Sequence, residues 1–134
     1  MTGTRAMPSR ITLLMTAALV ACAPGVRSIL FDAAHPLPPR PPGAPVRMFS
    51  TERPQCPFDE IGTVSAEGGS LLSSEKIVQG LQDRARAMGG DAIIGVTQGS
   101  RSQTSTYAPG RVTTGSMTTL TGTVIRFTDP SCTR

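Results

Sequence analysis

Residues 24–57 hold nine of the chain's twelve prolines, and that crowding limits how everything around it can fold. Proline lacks an amide donor and fixes φ, so neither a helix nor a central strand can run through it. Its densest part, Leu37-Pro38-Pro39-Arg40-Pro41-Pro42, reads as an extended polyproline-type spacer. The tract divides the 134 residues into a leader (1–22), a proline-rich linker (23–45) and a folded module (46–134). With four Phe, one Tyr and no Trp, the module must build its core from Ile, Val, Leu, Met and Ala. Its size suits one modest domain.

The leader has three zones. Met1–Arg10 is polar and carries Arg5 and Arg10; Ile11–Val20 (ITLLMTAALV) is apolar; Ala21 and Cys22 follow. That is the layout of a secretory signal, complete even if translation starts at Met7. The apolar run spans about 15 Å as a helix, half a hydrocarbon core, which argues against a permanent membrane span. Leu19-Val20-Ala21-Cys22 resembles the bacterial lipobox. The resemblance implies cleavage before Cys22, acylation of its sulfur and a membrane partner through the lipid. Ala23 in the next position implies outer-membrane sorting, with the module facing the periplasm or the surface. Several acyl chains on one residue tether stably where a single chain does not. Two other readings fit the same residues. Ala21-Cys22-Ala23 is an A-x-A pattern for ordinary secretion, and Cys22 can be a small apolar residue of an uncleaved segment.

Lipidation of Cys22 removes one of three cysteines and leaves Cys56 and Cys132, a pair suited to a disulfide in an oxidising compartment. Two unpaired thiols is the other reading. The formal charge of +4 falls to +2 once Arg5 and Arg10 are set aside, and twelve of the thirteen basic residues are Arg. With no dense basic face, no nucleic-acid partner is expected. Two distant cysteines and the lone His35 make no metal set, and no cofactor is expected.

Val46–Ser50 alternates apolar residues and reads as a short edge strand. Phe58–Ala66 reads as a strand closed by Gly68-Gly69-Ser70, with Gly62 marking a bulge or a close backbone approach. Ser73–Met88 is the strongest helix. Ile77, Leu81, Ala85 and Met88 form one stripe, Ser73 or Ser74 can cap it, and Gly89 can stop it. Asp91–Val96 reads as a buried strand, parallel to the first across the helix. Leu120–Phe127 is the last strand. Between them, residues 97–119 carry eleven Ser or Thr, read as a polar hairpin arm with its tip at Tyr107–Arg111. If the Phe58 and Phe127 strands are antiparallel neighbours, Cys56 and Cys132 meet at one end of the sheet. The expected fold is α+β: one helix on a small mixed sheet of three to four strands, behind a disordered signal and linker region.

The segments EIGTVSAEGG, ARAMGGDAIIGV and TLTGTVIRF resemble the small α/β domain of YbjQ-like proteins and of Rcs-type envelope-stress sensor lipoproteins. The likeness covers about residues 58–127. It implies a sensing or protein-binding domain, with residues 36–47 as a tract that contacts an outer-membrane barrel protein, and with a signalling protein as a second partner. Homo-oligomers are implied by the rings that YbjQ-like domains form. That sensor group has two disulfides where this chain can form one, and the arm at 97–119 lies outside the pattern.

Catalytic motifs are scarce. Ser73-Ser74-Glu75-Lys76 is an S-x-x-K at a helix start, but K-T-G and S-D-N are absent and capping accounts for the serines. Glu60, Glu67, Asp83 and Asp91 have no visible pairing and are expected to be solvated or turn residues, not general acids, and His35 is expected to be solvated. The expectation is a non-enzymatic, lipid-anchored envelope protein presenting a binding or stress-sensing module. Pro38, Pro39, Arg40, Pro41 and Pro42 are the candidate contact residues. The alternative is a structural, self-associating surface lipoprotein; a hydrolase or metal-binding protein is the weakest class.

Overall fold

The computed structural model describes residues 23–133. The leader, with Cys22 and its expected lipid, lies outside the described residues. Five strands form one sheet: β1 (Gly25–Leu30), β2 (Arg47–Met48), β3 (Phe58–Gly69), β4 (Ala92–Ala108) and β5 (Arg111–Phe127), in the order β1-β3-β5-β4-β2. A single helix, α1 (Ser74–Ala87), crosses one face, and a 3₁₀ turn (Pro130–Thr133) ends the described chain. The fold is α+β as expected, and the sheet is mixed, since only β2–β4 is parallel. β3 and β4 both run antiparallel to β5, so they are parallel to each other with β5 inserted between them.

The sheet has five strands, not three to four. The additional strand, β1, lies inside the expected linker. GVRSIL sits between Pro24 and the next proline, Pro36, leaving its amides free to pair. Val26, Ser28 and Leu30 are half-buried and alternate with exposed Gly25, Arg27 and Ile29, the period-2 pattern of an edge strand. Gly25 pairs with Glu67 and Leu30 with Gly62.

The helix forms for the reasons its sequence supplies. The Ser73 hydroxyl accepts the Lys76 N–H, Glu75 lies in the first turn, and Arg84 and Arg86 lie in the last. At the other end Gly90 N–H donates to the Ala85 carbonyl and Gly89 N–H to Arg86, a Schellman closure. Gly89 stands at φ +87°, which side chains with a Cβ disfavour. Ile77, Leu81 and Ala85 bury their stripe against Val64, Ala66, Ile93, Leu120 and Val124. Gly62 serves both expected purposes: register shifts beside it, and a Cβ there would fall 2.3 Å from the Ile29 carbonyl oxygen.

The helix-free face has a second, smaller core. Ala92, Ile94, Ile125 and Phe127 pack with Phe49, Cys56, Phe58 and Cys132. Phe58 pairs directly with Phe127, which brings the flanking cysteines to the same end of the sheet. Cys56 and Cys132 are disulfide-bonded, with Cα atoms 6.2 Å apart. Asp129 shapes the turn that carries Cys132 by accepting the Ser131 N–H at 2.8 Å. That backbone bond, with the Ser131 side chain, holds the Asp129 carboxyl below the usual carboxylate range.

At the opposite end β4 and β5 run on past the sheet as the expected hairpin arm, turning at Pro109-Gly110. β3 stops at Gly69, opposite Met117. Residues 101–108 of β4 therefore project with their β5 partners roughly 25 Å further, at about 3.4 Å per residue.

Candidate functional site

The proline tract is not a free spacer. It folds back as a strap across the disulfide end of the domain and the C-terminal turn of α1. Arg40 N–H donates to the Arg86 carbonyl at 2.9 Å, and Arg86 Nε donates to the Ala44 carbonyl at 2.8 Å. Ala44 N–H closes a turn on Pro41, and Gln82 Nε2 donates to the Val46 carbonyl. The last-turn arginine thus does more than complement the helix dipole: it clamps the strap from below.

The strap's one charged residue is turned inward. Arg40 Nη2 lies 2.7 Å from Asp91 Oδ1, with the Arg40 side chain 28% exposed and that of Asp91 4% exposed. Asp91 Oδ2 accepts the Phe127 N–H at 3.0 Å, and the Asp91 N–H donates to Ile125. Oδ1 receives no well-directed hydrogen bond, so its contact with Arg40 is chiefly Coulombic. Burying a carboxylate with no partner is costly, and the Arg40 guanidinium offsets that cost for Asp91. Asp91 stands in the bend between α1 and β4, one of the two expected places, but the expectation that it has no partner is corrected by Arg40. The other carboxylates read as unpaired have partners too: Glu67 meets Arg101 at 3.1 Å, Glu60 meets Arg53 at 4.0 Å, and Asp83 pairs with Arg86. These three pairs are more exposed and contribute little each.

Around the ion pair, Arg47 lies over the Phe127 ring at 5.2 Å and donates to the Cys132 carbonyl at 2.7 Å. Arg40, Pro45, Arg47, Asp91, Phe127 and Thr133 line a cleft of about 190 Å³. On the strap's other flank a groove of about 220 Å³ runs past Phe31, Leu37 and Met88, with Asp32, Asp59 and Glu60 at its rim. His35 is exposed there and lies 3.0 Å from Asp32, whose carboxylate also accepts the Ala34 and His35 amides. A larger concavity, about 470 Å³, lies on the helix-free face, floored by Thr63, Ser65, Thr121 and Thr123 with Arg27 and Ile29 beside them.

Of the candidate contact residues, Pro38, Pro39, Pro41 and Pro42 are exposed and Arg40 is half-buried. The tract thus presents its prolines outward while its arginine holds it down. Among the described residues no group of three or more His, Cys, Asp or Glu is placed to hold a metal ion. None of their helices is long and apolar enough to cross a membrane. Sequence reasoning missed the Arg40–Asp91 pair. Its only sign was one arginine among prolines and one aspartate after Gly89-Gly90, far apart in the chain and linked by no spacing rule.

The fold and this end of it define a one-helix, five-strand α+β domain with a strapped proline ridge. Comparison with known protein families, with characterised proteins and with solved structures finds no match.

Proposed function

We propose that the chain is a lipid-anchored protein of the cell envelope, held at the outer membrane through Cys22, whose module works by binding another envelope protein and not by turnover. Stress sensing is the setting that the likeness to Rcs-type sensors suggests. The observation that carries the binding reading is the strap. Four exposed prolines stand on a backbone clamped by Arg40 and Arg86, beside exposed Phe31 and Leu37. A polyproline ridge already ordered loses little entropy on docking into an aromatic-lined groove. The bonded Cys56–Cys132 pair supports the exported setting and leaves Cys22 as the one cysteine free for acylation.

The test is crosslinking in intact membranes. The chain is compared with a variant in which Pro38, Pro39, Pro41 and Pro42 are all alanine. The expected result is a crosslink to a distinct envelope protein that the variant loses while its melting temperature stays close to that of the parent. A crosslink unchanged in the variant contradicts the reading.

One observation favours the second reading, self-association. Among the described residues, β5 has no neighbour on its β3 side beyond Gly69, and β4 has none on its β2 side beyond Val96. Open edges of that length are templates for pairing with another strand. Crosslinks found only between copies, and passing through the arm, would select it.

A further inference from the structure

We infer that copies of this chain associate head to tail, the arm tip of one seated through Tyr107 in the groove between Phe31 and the proline strap of the next. This goes beyond the partner-binding reading and gives self-association a defined contact. The two halves of the contact lie at opposite ends of the molecule. The seventeen residues of β5 carry the chain from the tip to the strap end, a span of roughly 55 Å. No arm can reach its own groove, so the groove is open to the arm of another copy.

The groove, about 220 Å³, has apolar walls and an acidic rim. Phe31, 56% exposed, and Leu37, 36% exposed, face water there above Ile61 and Met88. The walls are already in place: the Phe31 N–H donates to the Ile61 carbonyl at 3.0 Å, and Leu37 begins the clamped strap. A preformed wall loses little entropy on docking. Asp32, Asp59 and Glu60 stand among the lining residues, with no lysine or arginine. In a chain of thirteen basic residues against nine acidic ones, that is a local reversal of sign. Arg126, cross-strand from Asp59, donates to the Gly89 carbonyl, and Arg53 comes only to 4.0 Å of Glu60. Among the described residues Asp59 has no ion-pair partner.

The arm tip has the opposite character. Residues 97–119 contain two arginines, Arg101 and Arg111, and no carboxylate. Arg101 is paired with Glu67 near the arm's base, which leaves Arg111 as the charge of the tip. Tyr107, the chain's only tyrosine, is 80% exposed beside it. A tyrosine ring buries against apolar walls while its hydroxyl keeps a polar partner, and a carboxylate at the rim accepts that hydrogen. Arg111 then faces the remaining acidic groups, which sets the orientation of docking. Tip and groove are different surfaces, so the contact is heterologous and each added copy presents a fresh arm or groove. One side chain in one groove makes a small interface, and such contacts are weak and reversible.

Two full-length variants separate the halves. Tyr107→Ser with Arg111→Ser keeps the groove and loses the tip; Phe31→Ser with Asp59→Asn keeps the tip and loses the groove. All four residues are exposed, so both variants are expected to melt close to the parent. Each is isotopically labelled in turn and titrated in detergent solution with the other, unlabelled, while amide NMR shifts are followed. The expected result is saturating shifts around Phe31, Asp59 and Ile61 when the tip variant carries the label, and around Tyr107 to Val112 when the groove variant does. Neither variant titrated with itself is expected to shift. Shifts in a variant titrated with itself, or confined to the open edges of β4 and β5, overturn the tip-in-groove contact and leave self-association standing. No shift in any mixture removes self-association and the contact with it, and leaves the partner-binding reading untouched.

Discussion

The two ends of this sheet are finished in opposite ways. At one end a disulfide, a 3₁₀ turn, a proline strap and a buried ion pair close over the strand termini. At the other, two strands run out into solvent as a hairpin with, among the described residues, no third strand beside it and a bare leucine at its base. Composition explains the contrast. The arm is Ser, Thr and Gly with almost nothing apolar to bury, so backbone pairing holds it together. The strap and the segments beside it are rich in Pro, Arg and Phe, which order the chain without regular strands. Covalent and ionic ties do at one end what a larger aromatic core would do in another protein.

If that contrast is right, changes at the tied end cost far more than changes along the arm. The largest expected loss follows Cys56→Ser. The bond closes a separation of 76 positions, for which chain entropy gives roughly 4 kcal/mol. Denaturant unfolding of the oxidised parent and of the variant measures it. A loss under about 1 kcal/mol would mean that packing, not the bond, finishes this end.

Arg40→Ala comes next. Removing one partner of a buried pair costs about 3–5 kcal/mol, and the partial exposure of Arg40 places the expected loss near the lower figure. A double-mutant cycle with Asp91→Asn isolates the pairwise part. Additive losses would show that the strap does not depend on this contact.

Much of the frame was legible in the sequence. The stripe Ile77, Leu81, Ala85 and Met88, with Ser73 before it and Gly89 after it, encodes its helix locally. The arm followed from threonine-rich segments around Pro109-Gly110, and the disulfide from placing Cys56 and Cys132 beyond paired strands. What escaped depends on distant partners. β1 is six residues long and becomes a strand only because β3 offers an edge. The proline tract reads as a spacer because proline excludes helix and ladder, yet Arg40, Ala44 and Val46 give it bonds to α1 that no local rule supplies. Of the site, the exposed prolines were readable and their foundation was not.

The proline tract belongs to the body of the domain. Arg40 is the one residue from Pro38 to Pro42 with an amide hydrogen, so its exchange rate in the intact chain reports directly whether the tract is held. Bonded to the Arg86 carbonyl, that hydrogen is expected to exchange slowly, with a protection close to that of the α1 amides and well above that of the hairpin tip around Gly110. An Arg40 amide that exchanges as fast as in an unstructured peptide, while α1 stays protected, would make the tract the free spacer its composition suggests.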